Sequence, residues 1–233
     1  MAAKLYGIGV GPGDPELLTL KAVRILKTVP VIAYPKPDTG DSLVRHIAND
    51  HIPNGRIEIA VVTPMTPGSF PANDVYDHYA KQISAHLLEG RSVAVLCEGD
   101  PFLFGSFMYI YQRLAADFKV EVVPGVSSLG AVAASSGRPL VSRNQVLSLL
   151  PAPLDNVILK ARIEDADSVA IFKVGRHFDR VRALLDEMGL TENSIYVEHA
   201  TMETECVVPL GNVDSCDVPY FSMILVDKKN RNS

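Results

Sequence analysis

Glycine is used where backbone must pass close to something, and this chain concentrates it at three points that each follow an apolar run. Gly9-Val10-Gly11-Pro12-Gly13-Asp14-Pro15 follows Leu5 to Val10, and Glu98-Gly99-Asp100-Pro101-Phe102-Leu103-Phe104-Gly105 follows Val93 to Cys97. Pro124-Gly125-Val126-Ser127-Ser128 follows Val120 to Val123. In an open α/β sheet, ligands bind beyond the carboxyl ends of the strands, so three small-residue turns at strand ends predict one shared pocket floor. The apparatus for pyrophosphate is missing. Pro12 stands where a dinucleotide fingerprint needs its third glycine, and Tyr34-Pro35-Lys36 offers no acidic residue to hold a ribose. No loop ends in Gly-Lys-Ser/Thr. A nucleoside-type ligand without phosphates fits these turns.

The side chains with reactive potential are few. Asp14 precedes Pro15 at what reads as a helix start, so it serves either as a cap or as a weak base. Asp100 is either a second cap or a hydrogen-bond partner for a ligand. His46 and His51 are five apart and His78 and His86 eight apart; neither spacing makes a chelating pair on one face, and no metal site is expected. Tyr220, between Pro219 and Phe221, is the other candidate base, with packing as its ordinary role.

These residues need a scaffold, and the hydrophobic pattern supplies one. Strands are predicted at 5–10, 30–34, 57–62, 93–97 and 120–123, with helices after Asp14 and over 41–51, 74–89 and 104–117. Pro35-Lys36-Pro37 reads as a loop, as does the Pro/Gly-rich stretch from Thr63 to Pro71, which is long enough to be functional. Strand–helix alternation predicts a mostly parallel sheet. A small-residue helix follows Ser128. Beyond about residue 139, strands at 145–150, 168–174, 194–199, 204–210 and 220–226 alternate with helices near 155–163 and 177–188. The last two strands have no helix between them, so the second sheet should be mixed. The expected organisation is two α/β domains, 1–125 and 126–233.

The 233 residues are 47% hydrophobic and 21% charged, ordinary for a globular enzyme, with a net charge of −5 and no clustered basic face for nucleic acid. Three cysteines, Cys97, Cys206 and Cys216, show no CxxC spacing and suggest a reducing compartment. With no signal-peptide pattern and no long apolar span, the expected location is the cytoplasm.

GVGPGDPELLTLKA, EGDPFLFGS, PGVSS and YFSMILV together resemble the tetrapyrrole methylases, S-adenosylmethionine-dependent enzymes of cobalamin and sirohaem synthesis. The likeness covers nearly the whole chain. Ala33 to Lys36, Phe172 to Arg176, His199 to Met202 and Pro219 to Met223 resemble the branch of the family that methylates precorrin-2 at C20. Its cobalt analogue, another ring position, or a nucleoside-binding module without catalysis are the alternatives. The resemblance implies a two-domain α/β fold, a homodimer, and S-adenosyl-L-methionine in the cleft between domains. It assigns the donor to Pro12, Gly99, Asp100, Leu103, Ser127, Ser128, Val174, Ala200 and Thr201. The implied substrate is a small-molecule polycarboxylate, for which Lys36, Arg138, Arg143, Lys173 and Arg176 are the cationic candidates; arginine's planar fork suits carboxylates. Phe102 and Phe104 could border the macrocycle. Neither nucleic acid nor membrane is an expected partner.

Overall fold

The computed structural model describes residues 3–63, 73–214 and 218–228. The Thr63–Pro71 loop lies outside these beyond its first residue, as do Cys216 and most of the polar tail. The chain forms two compact units, divided between Ser128 and Leu129.

The first unit is built on a five-stranded, fully parallel sheet of β1 (Leu5–Gly9), β2 (Val31–Pro37), β3 (Ile57–Thr63), β4 (Val93–Cys97) and β5 (Val120–Val123), in the order β3-β2-β4-β1-β5. Alternation along β4 divides the core into two layers. Ala94 and Leu96 join α1 (Leu20–Leu26) and α2 (Leu43–Ile47), whereas Val93, Val95 and Cys97 join α3 (Asn73–Leu88) and α4 (Phe107–Leu114). The connections leaving β1 and β2 therefore cover one face, and those leaving β3 and β4 the other. β4 is flanked by strands whose exits take the opposite side, the arrangement that opens a ligand crevice beyond the carboxyl ends.

Three local expectations are corrected. The helix after Asp14 is a 3-10 turn at Pro15–Leu17 followed by α1, because Thr19 takes a second cap: its Oγ1 accepts the Ala22 N–H at 3.2 Å. Pro35-Lys36-Pro37 is not a loop but the end of β2, paired with Val61 to Thr63 of β3. Proline is tolerated there because β4 leaves β2 after Ala33↔Val95, so nothing on that side requires an N–H. The helix expected from residue 104 starts at Phe107. Gly105 is wedged against the Pro101 carbonyl and the Cys97 thiol, where a β-carbon would lie 2.6 and 2.7 Å away, and Phe104 takes a positive φ of 57°.

The second unit carries a mixed sheet of β6 (Leu147–Pro151), β7 (Ser168–Phe172), β8 (Ser194–Glu198), β9 (Cys206–Pro209) and β10 (Ser222–Asp227), in the order β6-β7-β10-β8-β9. β6 and β7 are parallel; β10 runs antiparallel to both β7 and β8, and β9 antiparallel to β8. α6 (Asn156–Asp165) and α7 (Phe178–Glu187) pack with Val169, Ile171, Tyr196 and Ile224 on one face. Ala131 and Val132 of α5 (Ser128–Ser136) pack with Ala170, Ile195, Val197 and Met223 on the other.

Candidate active site at the strand ends

The three glycine turns meet at the carboxyl edge of the parallel sheet. Val10 donates to the Cys97 carbonyl at 3.0 Å, and Gly11 and Gly99 exchange N–H···O bonds of 3.3 and 2.8 Å, extending β1 and β4 by one bridge. The third turn crosses over this bridge. A β-carbon on Gly9 would lie 2.6 Å from the Gly125 nitrogen and 2.6 Å from the Gly99 oxygen, so only hydrogen fits. Ser127 and Ser128 reach the same place: a β-carbon on Gly99 would lie 3.5 Å from the Ser128 nitrogen and 3.8 Å from the Ser127 Cα.

Asp100 fastens two of the turns. One carboxylate oxygen accepts the Phe102 N–H at 2.9 Å and the other the Gly125 N–H at 3.1 Å. The side chain closes its own loop and anchors the neighbouring one; it does not cap a helix, since α4 starts only at Phe107. Asp14 accepts the Glu16 N–H at 2.8 Å as the cap of the 3-10 turn. Pro12 is buried, Leu103 partly buried, and Lys36 lies on the carboxyl end of β2 at the same edge.

Glu98, which the sequence reading passed over, is the residue between Cys97 and Gly99. Loss of water around its carboxyl raises its pKa above the usual glutamate value, with only its own backbone N–H opposing. Among the described residues no other side chain hydrogen-bonds to it. A carboxylate directly after a wholly apolar strand was the available signal.

In the second unit a parallel convergence occurs at the end where β7 and β8 finish and β10 begins. Lys173 follows β7 with φ 57°, and Gly175 packs against Pro219 and Tyr220, a β-carbon there lying 3.7 Å from the Tyr220 Cα. His199 donates its N–H to the Phe221 carbonyl at 2.9 Å, drawing in the turn after β8. Val174 and Ala200 are buried; Tyr220 is 55% exposed and its ring meets Phe221 edge-on at 5.2 Å. His199 and Thr201 both hold positive φ, 49° and 68°. Of the five non-glycine residues with positive φ among the described residues, Phe104, Lys173, His199 and Thr201 all lie in loops singled out for ligand contact, where strain of this kind concentrates.

The basic candidates separate. Lys173 and Arg176 are at this end, beside His177, whose imidazole pKa is lowered by burial and by Arg176 and Arg180. Arg138 and Arg143 are at the other. Arg138 donates to the Asn193 carbonyl at 3.1 Å, before β8 starts, and Arg143 precedes β6 in an exposed turn. Five strand residues at about 3.3 Å each place that end roughly 16 Å away. The sequence showed these arginines in loops but not at which end of the strands those loops fall.

Residues 4–214 match the family of tetrapyrrole (corrin/porphyrin) methylases. The chain belongs to that family. It is 36% identical to the precorrin-2 C(20)-methyltransferase of a Sinorhizobium species, covering 96% of this chain and 94% of that protein. It is 32% identical to the cobalt-precorrin-2 C(20)-methyltransferase of Salmonella typhimurium, covering 98% of each. The cobalamin biosynthesis protein CobIJ of Mycobacterium tuberculosis is 39% identical over 98% of this chain but only 47% of its own length, so the chain spans about half of that relative. The fold is that of a cobalt precorrin-4 methyltransferase (TM-score 0.76, 24% identity, 96% and 94% coverage) and of the Thermus thermophilus uroporphyrin-III C-methyltransferase solved with S-adenosylhomocysteine (TM-score 0.72, 24% identity, 98% and 99% coverage). Among the described residues no helix is long and apolar enough to cross a membrane, and no group of three or more His, Cys, Asp or Glu could hold a metal.

Proposed function

We propose that this chain methylates precorrin-2 at the C20 meso carbon, using S-adenosyl-L-methionine and yielding precorrin-3A. The observation that carries this reading is the Gly11–Gly99 bridge overlaid by Gly125 at the edge of a parallel sheet, in a chain similar to two C(20)-methyltransferases over nearly their full length. Open backbone without a phosphate loop suits a nucleoside with a sulfonium tail.

The residues that would hold the donor are Pro12, Gly99, Asp100 and Leu103 with Ser127 and Ser128, and Val174, Ala200 and Thr201 of the second unit. S-adenosylmethionine supplies an electrophilic methyl group: the C20 carbon's electron pair forms the new C–C bond, the S–CH3 bond breaks, and S-adenosylhomocysteine leaves. The protein's task is to align the carbon with that bond and exclude water, which is worth roughly 7–11 kcal/mol. The methylated carbon then loses a proton. Tyr220 is the acceptor we favour; Asp14 is committed to the cap of Pro15–Leu17. Lys36, Lys173 and Arg176 are the residues we propose to meet the substrate's carboxylates. We read the protein as a cytoplasmic homodimer.

Incubation with methyl-labelled donor and either precorrin-2 or cobalt-precorrin-2, followed by mass spectrometry of the product, tests the reading. One added methyl on C20 of the metal-free substrate supports it. Label only on the cobalt substrate would move the assignment to that analogue, and donor binding without turnover would reduce the chain to a binding module.

A further inference from the structure

We infer that Glu205 is a positioning residue for the methyl donor, its carboxylate stapling the turn after β8 to α5. The inference rests on the function proposed above. One oxygen of Glu205 accepts both the Thr201 N–H and the Ser135 hydroxyl, each at 2.6 Å. Thr201 needs such a hold. It is β-branched at φ 68°, two residues after His199 at φ 49°, and a β-branched residue with positive φ is a conformation that persists only where its surroundings over-determine it. Further hydrogen bonds shape the rest of the turn: His199 donates to Phe221, Met202 to His199, and the Thr204 hydroxyl meets His199 Nδ1 at 3.2 Å. Glu205 holds the Thr201 amide itself, and through Ser135 ties it to the helix that starts at Ser128. Ala200 and Thr201, the residues proposed to meet the donor, are thereby held in one arrangement before ligand arrives, and pre-organisation of that kind raises affinity by sparing the ordering cost.

Three variants of the full chain test this: Glu205→Ala, Glu205→Gln and Ser135→Ala, titrated with S-adenosylhomocysteine by calorimetry. Glu205→Ala should weaken binding about tenfold, the scale of a lost hydrogen bond to a charged acceptor, and raise the KM for the donor more than it lowers kcat. Glu205→Gln, whose amide oxygen accepts the same two donors, should recover most of the affinity. Ser135→Ala should give a partial loss, since it acts only through Glu205. Hydrogen exchange in the donor-free protein supplies a readout independent of ligand: the Thr201 amide should be protected in the parent and exposed in Glu205→Ala. Affinity within twofold of the parent in Glu205→Ala, a Gln variant as weak as Ala, or a fast-exchanging Thr201 amide in the parent would each overturn the inference. A parent protein that binds no S-adenosylhomocysteine would instead sink the donor assignment, with the exchange data still reporting on the staple.

Discussion

A β-carbon on Gly125 would overlap the carbonyl oxygen of Gly99 and lie 2.9 Å from the backbone of Gly9. All the neighbouring atoms are main chain, so none can swing aside. Gly125→Ala should therefore destabilise the protein by about 3 kcal/mol, at the upper end for overpacking, and abolish S-adenosylhomocysteine binding. Gly130→Ala, in α5 with nothing within 4 Å of the new methyl, should gain about 0.5–1 kcal/mol by helix propensity. Urea unfolding followed by circular dichroism checks both.

Asp100 links the second turn to the third through the N–H groups of Phe102 and Gly125. Asp100→Ala should cost about 1–3 kcal/mol of stability by leaving those donors without their acceptor, and should weaken donor binding as well. Asp100→Asn keeps one acceptor and should fall between. Calorimetric affinities equal to the parent's in both variants would remove Asp100 from the site.

Glu98 makes stability depend on pH. Its pKa is raised in the folded protein by loss of water, so the fold favours the protonated acid. Stability from this residue is complete below the usual value of 4.5, declines as pH rises through the folded-state pKa, and is flat above it. Glu98→Gln cannot ionise. It should melt higher than the parent at neutral pH, with the advantage vanishing in acid. Melting curves that stay parallel from about pH 4 to 8 would show that Glu98 is not desolvated.

Tyr220→Phe separates chemistry from binding. The ring is 55% exposed and supported by Phe221, so removing one hydroxyl should leave the fold and the donor affinity intact. Turnover should fall by about 10²-fold, the lower range for a lost acid–base group. A fully active variant would end the assignment of Tyr220 as proton acceptor.

The two sheets and the three turns were legible in the sequence because both depend on local rules. Val93 to Cys97 is a buried strand by composition alone, and a glycine after such a strand marks a close approach whatever it approaches. Asp14 was legible as a cap for the same reason, its partner being two residues away. What the sequence could not show was which atoms meet across distant segments. β2 carries two prolines that read as a loop, and only the departure of β4 makes a strand acceptable there. Arg138 and Arg143 have the right chemistry, but their loops fall at the amino-terminal end of their sheet, a matter of strand direction rather than residue type. Glu205 looks like an ordinary surface acid in the chain, and the apolar strand before Glu98 signals its position but not how far it is desolvated. Desolvation in one case, and a threonine amide brought to hand by the turn after β8 in the other, are properties of packing, which exists only once the whole chain has folded.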